Sequence, residues 1–389
     1  MEFEARLKIG FNIDSFKAST LNGEIVPHGG VGVYLQELLQ AMLSLEPKHE
    51  YYLIRNKPGP IPIRHPQVRS FIFPHKCIHH GVRHSGLWRD WIVHRYRLDL
   101  VHEHHPDQPA LRFAKVPLII TVHDLIPLIF PEKFTLRFNY IFRRYVRRNL
   151  QNADAVIAVS EHTKSDLCRY HPGLAGKVKV IPGAGQTFAG SRNPEASSLE
   201  SLGIRKPYIL NVSTIEPRKN HGVLFDAFAM LKQKGYPHQL VCVGAMGWKT
   251  RQVLDHPALK QFSKDIRLPG QVNRTTLQLI YSEADLMVYP SLYEGFGLPP
   301  LEAMGFGIPV IASRNSSLPE VLGTAAYYLS PQPDGGEIAR AIRKILEDSG
   351  QKTKMAGLGY ARWKHFTWEK TATETLECYK AVAAKRRGS

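Results

Sequence analysis

Cysteine is scarce in this chain, and the four present (Cys77, Cys168, Cys242 and Cys378) form no Cys-x-x-Cys pair. Thiols so far apart exclude a disulfide scaffold and a dithiol redox centre, and they read as reduced, structural residues of a cytoplasmic protein. Long apolar runs are missing too, since none approaches the roughly 18 residues that a bilayer-spanning helix needs. The opening residues, Met1-Glu-Phe-Glu-Ala-Arg-Leu-Lys-Ile-Gly10, lead into a strand without the apolar centre of a signal peptide. Acidic residues are outnumbered, 34 against 51 Lys and Arg, for a net charge of +17. That excess asks for an anionic partner: nucleic acid, an anionic membrane surface or a phosphorylated small molecule. Composition does not choose among them. Also absent are a three-glycine dinucleotide fingerprint, a His-Glu-x-x-His helix and any Asp-x-Asp pair.

What is present describes a globular protein. Hydrophobic residues make up 43 % of the 389 and charged residues 22 %. The length suits two domains of about 150–200 residues. Apolar runs at 8–12, 51–54, 68–73, 99–102, 117–122 and 154–160 alternate with helical spacing, such as Leu35, Leu38, Leu39 and Met42. This is the pattern of an α/β, doubly wound parallel sheet. Residues 177–182 close a first sheet. The Gly-, Ala- and Ser-rich stretch that follows reads as a linker, and a second strand–helix series starts near Tyr208.

One stretch concentrates chemistry: Pro290-Ser-Leu-Tyr-Glu-Gly-Phe-Gly-Leu-Pro-Pro-Leu-Glu302, delivered by the apolar run Ala284–Tyr289. Gly295 and Gly297 leave backbone N–H groups open to close approach, and Pro299 and Pro300 suit a first helical turn. Loop amides at a helix N-terminus favour an anion. Glu294 and Glu302 do not bind phosphate; they suit hydroxyls or positive charge. A strand–turn–helix unit with solvated glutamates is the alternative that these residues leave open. A second junction, Tyr208-Ile-Leu-Asn-Val-Ser-Thr-Ile-Glu-Pro-Arg-Lys-Asn220, sets Arg218 and Lys219 between strand and helix, where a planar fork and a point charge suit a diphosphate. In the first half, His28-Gly-Gly-Val-Gly-Val-Tyr34 reads as a glycine loop between strand and helix, or as a plain turn. Thr121-Val-His-Asp-Leu-Ile-Pro127 puts His123 and Asp124 at the carboxyl end of a strand, where open α/β sheets take ligands. His102-Glu-His-His-Pro-Asp107 reads as a loop rich in polar residues in preference to a metal site.

Glu294 and Glu302, with the surrounding Pro-Ser-Leu-Tyr-Glu-Gly-Phe-Gly-Leu-Pro wording and the Leu-Glu-Ala-Met-Gly-Phe-Gly-Ile-Pro-Val-Ile-Ala-Ser continuation, resemble the signature of retaining, nucleotide-sugar-dependent glycosyltransferases. The likeness is to group 1 (family 4), and the Thr-Ile-Glu-Pro-Arg-Lys-Asn segment is similar to mannosyltransferase-like members. The resemblance implies the GT-B fold, two Rossmann-like domains facing across a cleft. Residues 1–184 form the acceptor side, 185–206 a linker and 207–366 the donor domain, with the terminal helix 367–389 packing back onto the first. It implies a hexosyltransferase that needs no metal and no cofactor and takes a GDP- or UDP-linked sugar, mannose favoured, to a glycan or lipid-linked acceptor in lipopolysaccharide or polysaccharide assembly. Glu294 would contact the transferred sugar, and His123 would orient the sugar or the acceptor. Gly30, Gly32, Thr214, Arg218, Lys219, Val272, Phe296, Gly297, Leu298 and Glu302 would hold the donor, Glu302 by its ribose and Val272 beside the base. Two departures from the family pattern are Val33 and Thr214, each standing where arginine is common.

Two alternatives remain at this level: a nucleotide-sugar epimerase or hydrolase of the same fold, and a basic nucleic-acid-binding protein. The second lacks a recognisable nucleic-acid motif, so no such partner is expected. Residues 133–150 hold six basic residues and no acidic one. As a helix they set Phe134, Phe138, Ile141, Phe142 and Tyr145 on one face and Arg137, Arg144 and Arg148 on another. Such a helix suits either an ordinary core position or a peripheral seat on the inner face of the cytoplasmic membrane.

Overall fold

A computed structural model describes residues 6–14, 16–21, 24–55, 59–72, 87–106, 115–186 and 199–387. Cys77, Phe73, Asp107 and residues 187–198 of the expected linker lie outside them. The chain forms two compact units. The first comprises Met1–Ser19, Gly30–Gly183 and Trp368–Ser389, and the second Thr20–Gly29 and Ala184–Thr367.

The first unit is built on a seven-stranded sheet. Its strands are β1 (Lys8–Asn12), β4 (Glu50–Arg55), β5 (Val68–Ile72), β6 (Leu100–Glu103), β7 (Leu118–Val122), β8 (Ala155–Ala158) and β9 (Val178–Val180), while β2 (Ala18–Leu21) and β3 (Glu24–Pro27) form a separate two-stranded ribbon. The sheet order is β5-β4-β1-β6-β7-β8-β9, and every pairing is parallel. Parallel strands covered on both faces are mainly apolar, which is why the centres of β4 and β7 read as continuous runs, while β6 carries the buried polar residues His102 and Glu103. Helix Gly29–Leu45 turns Leu35, Leu38, Leu39 and Met42 inward, each fully buried. Burial on that scale contributes roughly 1.5–3 kcal/mol per side chain. Ser160 caps helix Glu161–Tyr170 by accepting the Thr163 N–H at 3.0 Å. The C-terminal helix Trp368–Arg387 belongs to this unit, where Thr371 Oγ1 donates to the Pro182 carbonyl at 2.7 Å.

In the second unit β10 (Tyr208–Val212), β11 (Gln239–Val243), β12 (Ile266–Gly270), β13 (Leu286–Tyr289), β14 (Val310–Ser313) and β15 (Ala326–Leu329) form a six-stranded sheet ordered β12-β11-β10-β13-β14-β15, again wholly parallel. From β10 the chain runs outward through β11 and β12, then returns to β13 at the centre. The connections after β10 and β13 therefore leave in opposite directions and open a crevice at their carboxyl ends. In the first sheet the same reversal falls between β1 and β6. Both sheets thus are doubly wound α/β layers.

Three expectations are corrected. Gly30 and Gly32 lie in the first turn of helix Gly29–Leu45 and not in a loop, because the ribbon β2–β3 brings the chain directly to the helix start. Strand β6, expected to end at His102, runs on through Glu103, and His104 directly follows it. All three are buried, since β6 is a central strand flanked by β1 and β7. Helix Leu136–Asn152 buries Asn139, Phe142, Val146, Asn149 and Leu150, so Phe138 and Ile141 face solvent with the arginines.

Candidate active site

Glu294 and Lys219 meet at the β10/β13 crevice, 75 residues apart in sequence. Lys219 ends a 3-10 turn, Pro217–Lys219, that follows β10, and Glu294 lies in the loop after β13. Glu294 Oε1 accepts from Lys219 Nζ in a short contact and from Ser291 Oγ at 2.5 Å, with Arg218 Nη1 at 3.5 Å. Lys219 Nζ also reaches the Tyr289 hydroxyl at 3.1 Å. The two charged residues are only 8 % and 7 % exposed. Burial alone pushes the Glu294 carboxyl up, but the charges of Lys219 and Arg218, with hydrogen bonds from Lys219 and Ser291, outweigh it and hold it at about 2. Burial, together with Arg218, lowers Lys219, and Glu294 offsets part of that. Glu294 is therefore a carboxylate at neutral pH.

Arg218 turns its fork toward the protein. Its Nε and Nη2 bond Glu216 Oε1 at 3.1 and 2.7 Å, and Nη1 donates to the Tyr293 carbonyl. Two cations and two carboxylates thus form a balanced cluster. Any anion arriving here would meet Arg218 and Lys219 already engaged by partners of their own. Thr214, half-buried, sits in the segment Ser213–Glu216, which packs flush against Gly244–Gly247. A side chain on Gly244 would lie 2.1 Å from the Ser213 carbonyl oxygen.

Helix Leu298–Gly305 begins at Gly297, whose φ of 99° suits glycine and whose Cα has Leu318 so close that an added Cβ would lie 2.7 Å from it. Leu298 is the first helical residue. Pro299 and Pro300 then remove two of the amides a helix N-terminus normally presents. The donors left for an anion come from the loop through Leu298. Phe296 is buried with its ring edge-on to Phe366 at 5.6 Å. Glu302 is buried on the helix, accepting from Tyr281 Oη at 2.8 Å and the Gln186 N–H at 3.3 Å. The two glutamates therefore have separate partners and do not act as a carboxylate pair. Val272 is buried in the turn after β12, just before Asn273, which caps helix Arg274–Ser282.

In the first unit His123 follows β7, with the Tyr34 ring edge-on at 4.8 Å. Tyr34 stands on helix Gly29–Leu45, whose first turn holds Gly30 (exposed) and Gly32 (buried). His104 stacks on Phe11 at 5.4 Å. Three buried polar atoms here have no protein partner: both His104 ring nitrogens and His123 Nε2. Burial, reinforced by neighbouring imidazoles, depresses both histidines well below their ordinary range, so the rings are neutral. His102 differs, bonding Tyr379 Oη at 2.5 Å and Thr121 Oγ1 at 2.7 Å through its two nitrogens. Sequence reading missed Ser291, Tyr289, Tyr34 and His104. Ser291 stood inside the quoted motif, whereas the others read as ordinary core or loop.

Comparison with known proteins matches two family descriptions: "Glycosyl transferases group 1" over residues 197–362 and "Glycosyltransferase Family 4" over residues 28–184. The chain is 31 % identical over 274 residues to the O-antigen chain mannosyltransferase B of Escherichia coli, covering 68 % of this chain and 70 % of that one. It is 30 % identical over 271 residues to the serotype-specific mannosyltransferase WbdA of the same organism, covering 67 % of this chain but only 33 % of the longer relative. The fold is similar to that of sucrose-phosphate synthase from Thermosynechococcus elongatus, with a TM-score of 0.77 at 21 % identity over 98 % of this chain and all of that one.

Proposed function

Because this chain belongs to the group 1 glycosyltransferases and has the GT-B fold, we propose that it moves mannose from a nucleotide-diphosphate sugar onto a glycan or lipid-linked acceptor, with retention at the anomeric carbon. The observation that carries this reading is the buried contact between Glu294 and Lys219 at the β10/β13 crevice, with Arg218 beside it. Sugar transfer requires the bond to the diphosphate to lengthen while positive charge grows on the sugar ring. Lys219 and Arg218 stabilise the departing diphosphate, and the loop amides through Leu298 add donors. Glu294, kept anionic, faces the opposite charge on the sugar side. Glu302, fixed by Tyr281 and the Gln186 amide, holds ribose hydroxyls, and Val272 lies beside the base. His123, a neutral imidazole that offers both a donor and an acceptor, orients a sugar hydroxyl.

The stem of the proposal is tested by transfer itself. GDP-mannose and UDP-glucose, each incubated with mannosyl glycosides, are to give an extended glycoside whose new linkage keeps the donor's α configuration by NMR. Epimerised donor, or free sugar without extension, would favour the epimerase or hydrolase reading.

Helix Leu136–Asn152 supports a peripheral seat on an anionic membrane. Leu136 and Tyr140 are 88 % and 68 % exposed, alongside exposed Arg137, Arg143, Arg144, Arg147 and Arg148. Apolar groups enter the headgroup region while each nearby cation adds roughly 1 kcal/mol. Among the described residues no helix is long and apolar enough to cross a membrane.

A further inference from the structure

The loop after β14 carries none of the roles assigned above, yet it grips Glu294 along its main chain. The Glu294 N–H donates to Ser316 Oγ at 2.9 Å, Ser316 Oγ donates to Asn315 Oδ1 at 3.1 Å, and Asn315 Nδ2 donates to the carbonyls of Ser291 at 3.0 Å and Pro331 at 2.9 Å. Beside this chain, the buried Ser317 Oγ lies 3.0 Å from the Glu294 carbonyl oxygen and 2.9 Å from that of Phe296. Ser291 closes the circuit, since its hydroxyl bonds the Glu294 carboxylate and its carbonyl receives Asn315. Ser316 adopts φ +46°, a left-handed conformation that a serine reaches only at a cost and glycine adopts freely. What serine offers over glycine at this position is its hydroxyl, and that hydroxyl is spent on Glu294.

We infer that Ser316 is a positioning residue for Glu294, fixing the peptide from which the carboxylate projects toward Lys219. The hydrogen bonds run in one direction, Glu294 N–H to Ser316 O–H to Asn315, so each link orients the next. The same bond takes the Glu294 amide away from any phosphate, leaving that task to the amides further along the loop. This inference rests on the role proposed for Glu294.

Two variants separate positioning from folding. Ser316→Gly deletes the hydroxyl while relaxing the backbone, and Ser316→Ala deletes it while keeping the backbone demand. Both are expected to speed amide hydrogen exchange in the peptide spanning 290–298 by about tenfold, with exchange elsewhere unchanged. Both are expected to lower kcat with GDP-mannose or UDP-glucose, whichever the wild type uses, by about tenfold while donor KM stays within about threefold. Ser316→Gly should keep or raise the melting temperature. Wild-type kcat in Ser316→Gly, or unchanged exchange, would overturn the inference, as would a kcat loss confined to Ser316→Ala and accompanied by a lower melting temperature. Exchange is read without substrate. A wild type inactive on every nucleotide sugar therefore sinks the transferase reading, while exchange still decides whether Ser316 holds the Glu294 amide.

Discussion

Replacing Glu294 by Gln removes one charge and keeps the shape. In the folded protein the Glu294 carboxyl is held at about 2 against an ordinary 4.5, a difference that contributes on the order of 3 kcal/mol to folding at neutral pH. The sign follows from a depressed acid: the contribution is complete above pH 4.5 and is lost as pH falls toward 2. Not all of it is net, because Lys219 is buried at a cost that the pair only partly offsets. Glutamine still accepts hydrogen bonds from Ser291 and Lys219, so the expected loss is about 1–3 kcal/mol. For a domain of this size that lowers the melting temperature by roughly 2–4 °C per kcal/mol. Calorimetry from about pH 7 to about pH 3 reads both effects, and the variant should lose less stability than wild type as acid titrates the site. Turnover should fall on the order of 10²-fold or more, as for loss of one preorganised electrostatic group. A Glu294→Gln variant with wild-type turnover and a wild-type acid transition would refute the reasoning.

Three further outcomes are expected. Arg218→Ala and Lys219→Ala should each weaken nucleotide-diphosphate binding by about 1.5–3 kcal/mol in titration calorimetry. Lys219→Ala should also lower the melting temperature, because it leaves the buried Glu294 with Arg218 as its one charged partner among those described. Gly297→Ala places a Cβ at φ +99° against the buried Leu318, and should cost about 1–3 kcal/mol, measured by denaturant unfolding. Reversing Arg143, Arg144, Arg147 and Arg148 to Glu should release the protein from anionic vesicles at low salt, at roughly 1 kcal/mol or more per site, without changing its circular dichroism. A wild type that fails to sediment with such vesicles would remove the membrane seat.

Much of the fold was legible because fully buried parallel strands leave unmistakable apolar runs, as at Leu286–Tyr289 and Leu118–Val122. The ribbon Ala18–Leu21 with Glu24–Pro27 and the edge strand Ala326–Leu329 were not, since their half-buried residues show neither a continuous run nor a clean alternation. Glu103 read as part of a polar loop by residue type, but its neighbours in the sheet decide its burial. Helix Leu136–Asn152 was found, yet its buried stripe includes Asn139 and Asn149, whose side chains bond the Pro131 and Pro106 carbonyls. Polar residues whose side-chain N–H groups find a carbonyl inside a core defeat a reading based on apolar spacing. In the candidate site the motif located Glu294, Arg218 and Lys219. Nothing in the sequence said that they would bond one another or that Ser291 would join them.

The central claim is that the crevice holding Lys219, Arg218 and Glu294 binds a nucleotide diphosphate and its sugar. The most direct measurement is the melting temperature of the protein across a panel of GDP, UDP and their sugars, repeated with Lys219→Ala. One nucleotide family should stabilise wild type by about 2.7 kcal/mol at a hundredfold excess over its Kd, and the shift should shrink sharply in the variant. No shift with any nucleotide at millimolar concentration, or an equal shift in Lys219→Ala, would contradict the account.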